Sequence, residues 1–143
     1  MNRKFALTTA LATMIGLTAL PAFAGGITIE QYGWGNQAGG HQDGWGNQIG
    51  VYQDGFLNSF VTKQFGHDNV SATGQDGWNN QSNTLQYGNG NAAGVGQFGG
   101  NHTSILTQDG NGNIVAGVQV GNGCDADVTQ TGNGNVAAFV QAC

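Results

Sequence analysis

Gln130-Thr131-Gly132-Asn133-Gly134-Asn135-Val136-Ala137-Ala138-Phe139-Val140-Gln141 is the stretch that decides the reading of this chain. It opens and closes on Gln, eleven residues apart. Gly132 permits the positive φ that a reversal needs, and Asn tolerates it, so Gln-x-Gly-x-x-Asn reads as a turn. From Asn135 onward the residues alternate with period two, the mark of a strand: Asn135, Ala137, Phe139 and Gln141 share one face. Outward from this stretch the spacing holds without a slip. Gln recurs as Gln31, Gln42, Gln53, Gln64, Gln75, Gln86, Gln97, Gln108, Gln119, Gln130 and Gln141. Two residues after each of the first ten stands Gly33, Gly44, Gly55, Gly66, Gly77, Gly88, Gly99, Gly110, Gly121 or Gly132. Five residues after Gln stands Asn36, Asn47, Asn58, Asn69, Asn80, Asn91, Asn113 or Asn135, with His102 and Cys124 as the two exceptions.

This register overrules what composition alone suggests. The 143 residues include 27 Gly, 16 Asn and 14 Gln, and only 8% are charged. Leu, Ile, Val and Phe make up 23 of the 119 residues after position 24, a composition that reads as disorder. Low-complexity disorder has no reason to keep phase over eleven units, whereas a repeat architecture must. All eight acidic residues lie after residue 24, where Lys63 is the single Lys or Arg. That balance excludes a nucleic-acid binder, which needs a basic face. Collagen fails for want of Gly at every third residue.

Residues 1–24 read as an export signal: basic Arg3 and Lys4, an apolar run from Phe5 to Leu20, and the small-x-small pattern Ala22-Phe23-Ala24. Cleavage is expected after Ala24, leaving 119 residues that work outside the cytoplasm; an uncleaved anchor is the alternative, for which the run is short. Residues 25–30 form a short lead-in, and 31–143 the repeat region.

Two eleven-residue units make a strand-turn-strand-turn coil of 22 residues. The expected fold is all-β: a β-solenoid of two facing parallel sheets and about five coils, rising about 4.8 Å per coil. One sheet stacks Gln31, Gln53, Gln75, Gln97, Gln119 and Gln141 with the column Asn47, Asn69, Asn91, Asn113 and Asn135. The other stacks Gln42, Gln64, Gln86, Gln108 and Gln130, with an Asn column of Asn36, Asn58 and Asn80 that is expected to fail at His102 and Cys124. Buried amides are costly when unpaired. In register, each is expected to donate to the next and accept from the last. Terminal strands without caps or Pro leave the ladders unfinished, so the chain reads as one that polymerises with itself end to end. A monomeric surface solenoid is the alternative; an ice binder would want a regular outward Thr column, which Gln37, Ser59, Gln81, Thr103 and Asp125 do not supply.

The repeat Q-x-G-x-G-N-x-A-x-x-x-Q, as it stands in Gln130 to Gln141, Gln31 to Gln42 and Gln86 to Gln97, resembles the curlin repeat. The resemblance implies a curli subunit: a secreted bacterial functional amyloid of adhesive surface fibres (fimbriae) and biofilm matrix. It further implies stacked Gln and Asn as polymerisation residues, a nucleator subunit and an outer-membrane secretion pore as partners, and host or abiotic surfaces as targets of adhesion. The sequence departs from that pattern where Asn47, Asn69 and Asn91 replace the usual Ser, and in its short lead-in. A nucleator is the second reading, against which Lys63 alone argues.

Other candidates are weaker. His41, His67 and His102 occupy different places in the unit and form no ligand column, so neither metal nor cofactor is expected. Asp54 and Asp76 share a column one coil apart; they read either as gatekeepers that slow aggregation or as solvated turn residues. Trp34, Trp45, Phe56 and Trp78 share the third place after Gln, as an exposed aromatic strip or as packing over the arc. Cys124 and Cys143, the only cysteines of an exported chain, suggest a disulfide stapling the last coil, with intermolecular pairing or a free thiol as alternatives. No nucleophile–base set, carboxylate cleft or phosphate loop emerges, so an enzyme is not expected.

Overall fold

A computed structural model describes residues 25–143. The export signal expected over 1–24 lies outside the described residues. The described residues form eleven strands and no helix. These are β1 (Ile27–Trp34), β2 (Gln37–Asp43), β3 (Gln48–Phe56), β4 (Ser59–Phe65), β5 (Val70–Trp78), β6 (Gln81–Tyr87), β7 (Ala92–Gly100), β8 (Thr103–Asp109), β9 (Ile114–Asn122), β10 (Asp125–Thr131) and β11 (Val136–Ala142). Odd strands build a six-stranded sheet in the order β1-β3-β5-β7-β9-β11, and even strands a five-stranded sheet in the order β2-β4-β6-β8-β10. Every pairing is parallel and in register at 22 residues, as in Gln53 opposite Gln75 and Gln64 opposite Gln86. This is the expected β-solenoid.

The strands alternate between buried and exposed residues, as the pattern eBeBiBe of β6 illustrates. Two apolar clusters fill the space between the sheets: Ile49, Val51 and Phe60 towards the N-terminal end, and Ala93, Val95, Leu106 and Val115 towards the C-terminal end. A hydroxyl layer separates them, in which Thr73 and Ser82 hydrogen-bond at 3.3 Å and Thr84 is buried beside them. Size is matched across coils. Phe139 lies over Gly117, where a Cβ would run into its ring.

The strands differ from expectation at their C-terminal ends. In the six-stranded sheet, β1, β3, β5, β7 and β9 continue past Gln and Gly to the third residue after Gln, so five of the turn glycines lie inside strands. All ten glycines nevertheless take positive φ, from 96° at Gly33 to 126° at Gly77 and Gly110. The second left-handed residue of each reversal is not the Asn of the pattern but the residue before it: Gly in most units, and Leu57, Asp68, Asn79 or Asn101 in the rest. Two left-handed residues spaced two apart re-aim the chain by half a coil in five residues.

Candidate assembly interface: the amide ladders

The Gln side chains point into the solenoid, and from Gln53 to Gln119 the seven repeat glutamines are fully buried. Each Nε2 donates to the Oε1 of the Gln one coil towards the C-terminal end, at 2.6–3.0 Å along both columns. From Gln53 onward the second proton goes across the interior to a backbone carbonyl of the facing sheet, as from Gln53 to Gln37 at 3.0 Å and from Gln97 to Gln81 at 2.9 Å. One amide thus ties two coils together and straps one sheet to the other. Its two protons are both used, which removes the burial penalty.

The Asn columns work differently from the expected side-chain relay. Asn Oδ1 accepts the backbone N–H of the Asn one coil on, at 3.0 Å from Asn69 to Asn47 and 2.9 Å from Asn113 to Asn91. Asn Nδ2 donates to the carbonyl of a turn glycine, as from Asn47 to Gly66 and from Asn69 to Gly88, each at 2.8 Å. The short Asn side chain bonds mainly to backbone atoms, of its own arc as from Asn47 to the Asp43 carbonyl and of the arc one coil on, so it clips successive arcs together instead of stacking amide on amide; Asn135 and Asn69 add a direct side-chain bond to their predecessors. The glycines serve this geometry. Their positive φ turns the carbonyl inward, and a Cβ on Gly55 or Gly77 would collide with the glycine carbonyl of the next coil.

The column does not fail at His102 and Cys124, which corrects the expectation. His102 is fully buried and its backbone N–H reaches Asn80 Oδ1 at 3.1 Å. Its Nδ1 accepts the Cys124 N–H at 3.1 Å, and Nε2 donates to the Phe98 carbonyl at 3.2 Å. An imidazole in that tautomer offers one acceptor and one donor, as the Asn amide does. Cys124 then ends the column and is bonded to Cys143, with Cα atoms 5.7 Å apart and a sequence separation of 19.

The ends of the columns carry opposite valences. At the N-terminal end no described side chain donates to Gln31 Oε1, and Gln42 Oε1 is buried without a partner. At the C-terminal end Gln130 and Gln141 each use one Nε2 proton, to the Ile114 and Asp125 carbonyls, and no described side chain accepts the other. Asn135 Oδ1 likewise awaits a backbone N–H. One end offers acceptors for Gln and the other offers donors.

Asp54 and Asp76 stand side by side on β3 and β5 at the outer edge of the six-stranded sheet. The neighbouring Tyr52 phenol is raised above its ordinary value, first by desolvation and then by the carboxylates of Asp54, Asp76 and Glu30. The four aromatic residues separate onto two edges, because successive units alternate sheets. Trp34 stacks on Phe56 at 5.6 Å, with Trp78 next in that row over Gly100, whereas Trp45 packs on His67 at 4.8 Å on the opposite edge. Among the described residues no group of three His, Cys, Asp or Glu could hold a metal. An outer Asn ladder went unread in the eleven-residue pattern: His67, Asn89 and Asn111 each donate their backbone N–H to Oδ1 of Asn89, Asn111 and Asn133, at 2.9 Å. Its signal is the Asn-Gly-Asn triplet, which recurs every 22 residues.

A sequence model of the curlin associated repeat matches residues 79–110, which span β6, β7 and β8. Over those residues the chain is similar to the curlin associated repeat. Neither a curated protein nor a solved structure matches the chain.

Proposed function

We propose that this curlin-repeat chain is a secreted subunit that polymerises head to tail into extracellular amyloid fibres serving adhesion and biofilm matrix. The observation that carries the reading is the polarity of the ladders. Gln130 and Gln141 present Nε2 donors at one end of the described solenoid, and Gln31 and Gln42 present Oε1 acceptors at the other. A contact between unlike ends is heterologous and does not close on itself, so it propagates as a filament. The outer strands of both sheets add unpaired backbone at both ends, which strand addition satisfies. In this reading the export signal of residues 1–24 sends the chain out of the cytoplasm, an outer-membrane pore passes it, and a nucleator seeds it. Asp54 and Asp76 act as gatekeepers.

The test is electron microscopy with thioflavin fluorescence on purified 25–143. Unbranched, dye-binding filaments are expected. A protein that stays monomeric at high concentration overturns the reading and favours a surface-binding solenoid.

A further inference from the structure

The two outer faces of the solenoid are unlike. On the five-stranded sheet the outward positions carry Lys63, Asn83, Thr107, Asp125 and Asp127 among apolar residues. On the six-stranded sheet, the outward positions of β5, β7, β9 and β11 between Val70 and Val140, as far as the column before Gln, hold only Gly, Ala, Val and Ile. No charged or hydrogen-bonding side chain interrupts them. Val136 is 73% and Val140 80% exposed, and Ile114 46%.

The face is also graded. Towards the N-terminal end it is a shallow groove floored by Gly50, Gly74 and Gly94, with Tyr52 and Glu30 on its N-terminal wall. A Cβ at Gly50 or Gly74 would meet nothing within 4 Å. Towards the C-terminal end it is a ridge of Ile114, Val118, Val136 and Val140. A two-fold axis in the plane of contact, lying along β7, would bring Val118 onto Gly74, Ala138 onto Gly50 and Gly94 onto its own copy, with Ile114 on Val70 and, at the margin, Val140 on Tyr52 and Val136 on Gln48. Asp54 and Asp76 on the rim would meet Ala142 and Val120, so no two carboxylates face each other.

We propose that this face packs against the same face of a second, antiparallel copy in a neighbouring filament, as a dry zipper that pairs filaments side by side. The area decides the level at which pairing occurs. Five strands of five residues cover about 400 Å² per chain, about 800 Å² in all. That falls below the roughly 1,200 Å² of a stable pair, so single chains do not dimerise through it. Eleven strands make five and a half coils, so successive chains turn by half a coil and the face recurs on one side of a filament at every second chain, which multiplies the contact along its length. The charge argument points to the same occupant: the chain after residue 24 carries eight acids against one Lys, and this face lets two such molecules meet without opposing like charges. The proposal rests on the filament reading above.

A Gly94→Cys variant, assembled and treated with a short bis-maleimide, tests it on a non-reducing gel. Gly94 has ordinary φ and room for a Cβ, the nearest atom being the Ala72 carbonyl oxygen at 4.0 Å. Covalent dimer is expected from filaments and none from monomer, with loss of the dimer for Asn83→Cys on the other face. Filaments without dimer, or equal dimer from both positions, overturn the proposal. So do uncross-linked filaments that float with anionic lipid vesicles, which would assign the face to membranes. As a second variant, Ala116→Lys is expected to yield single filaments of about half the width; unchanged bundles count against the pairing. A wild-type chain that forms no filaments at all fails at the earlier step, the assembly reading itself.

Discussion

Gln97 joins three hydrogen bonds in a space closed to water: it accepts from Gln75 at 2.8 Å and donates to Gln119 at 2.8 Å and to the Gln81 carbonyl at 2.9 Å. Replacing it by Ala strands a donor on Gln75, an acceptor on Gln119 and a carbonyl on the facing sheet, and opens a cavity. A cost of about 2–4 kcal/mol is expected, read as a rise of at least about tenfold in the concentration needed for assembly. Glycines separate by the same logic. Gly77→Ala places a Cβ against the Gly99 carbonyl at a φ of 126° and is expected to abolish assembly, whereas Gly74→Ala, open on all sides, is expected to be tolerated. His102→Asn should change denaturant resistance by less than about 1 kcal/mol, since the amide restores the same acceptor and donor. His102→Leu should cost about 1–3 kcal/mol, because the Cys124 N–H and the Phe98 carbonyl lose their partner. A result in which Asn and Leu behave alike would show that the imidazole merely fills space. The eleven-residue spacing made the Gln columns legible, because Gln is long enough to reach its copy one coil away. The Asn bonding was not legible, since its partners are backbone atoms whose position depends on which residue of the arc turns left-handed.

At the scale of the strand, period-two alternation named each element, and the register of 22 followed from two units per coil. The ends of the strands were harder to read. The extra length of β1, β3, β5, β7 and β9 comes from pairing between arcs, which local propensity does not report. Two predictions belong here. Asp54 and Asp76 place like charges on neighbouring strands, which disfavours the stack. Converting both to Asn is expected to shorten the lag of thioflavin-monitored assembly, and an unchanged lag would leave them as solvated edge residues. The Cys124–Cys143 bond holds β11 to the end of β9 and closes a loop of 19 residues. Cys143→Ser is expected to weaken that strand by about 3 kcal/mol on the chain-entropy account. Hydrogen exchange should then rise in β11 and stay unchanged in β5; uniform exchange across both would contradict a local staple.

The described solenoid is a rod whose interior is complete only in the middle. Its central Gln and Asn residues are buried and satisfied, while Gln31, Gln42, Gln130 and Gln141 have bonds left to make. A chain poor in large apolar residues can be ordered this way because each added coil satisfies the amides of the coil before it. Growth by a further molecule uses the same bonds as growth by a further coil. Mass per length of single filaments tests this most directly. Eleven strands at half a coil each, with coils about 4.8 Å apart, predict roughly one chain per 26 Å of filament, or two where filaments pair. One chain per about 4.8 Å would mean that each molecule lies flat as a single layer, and would contradict the stacked solenoid.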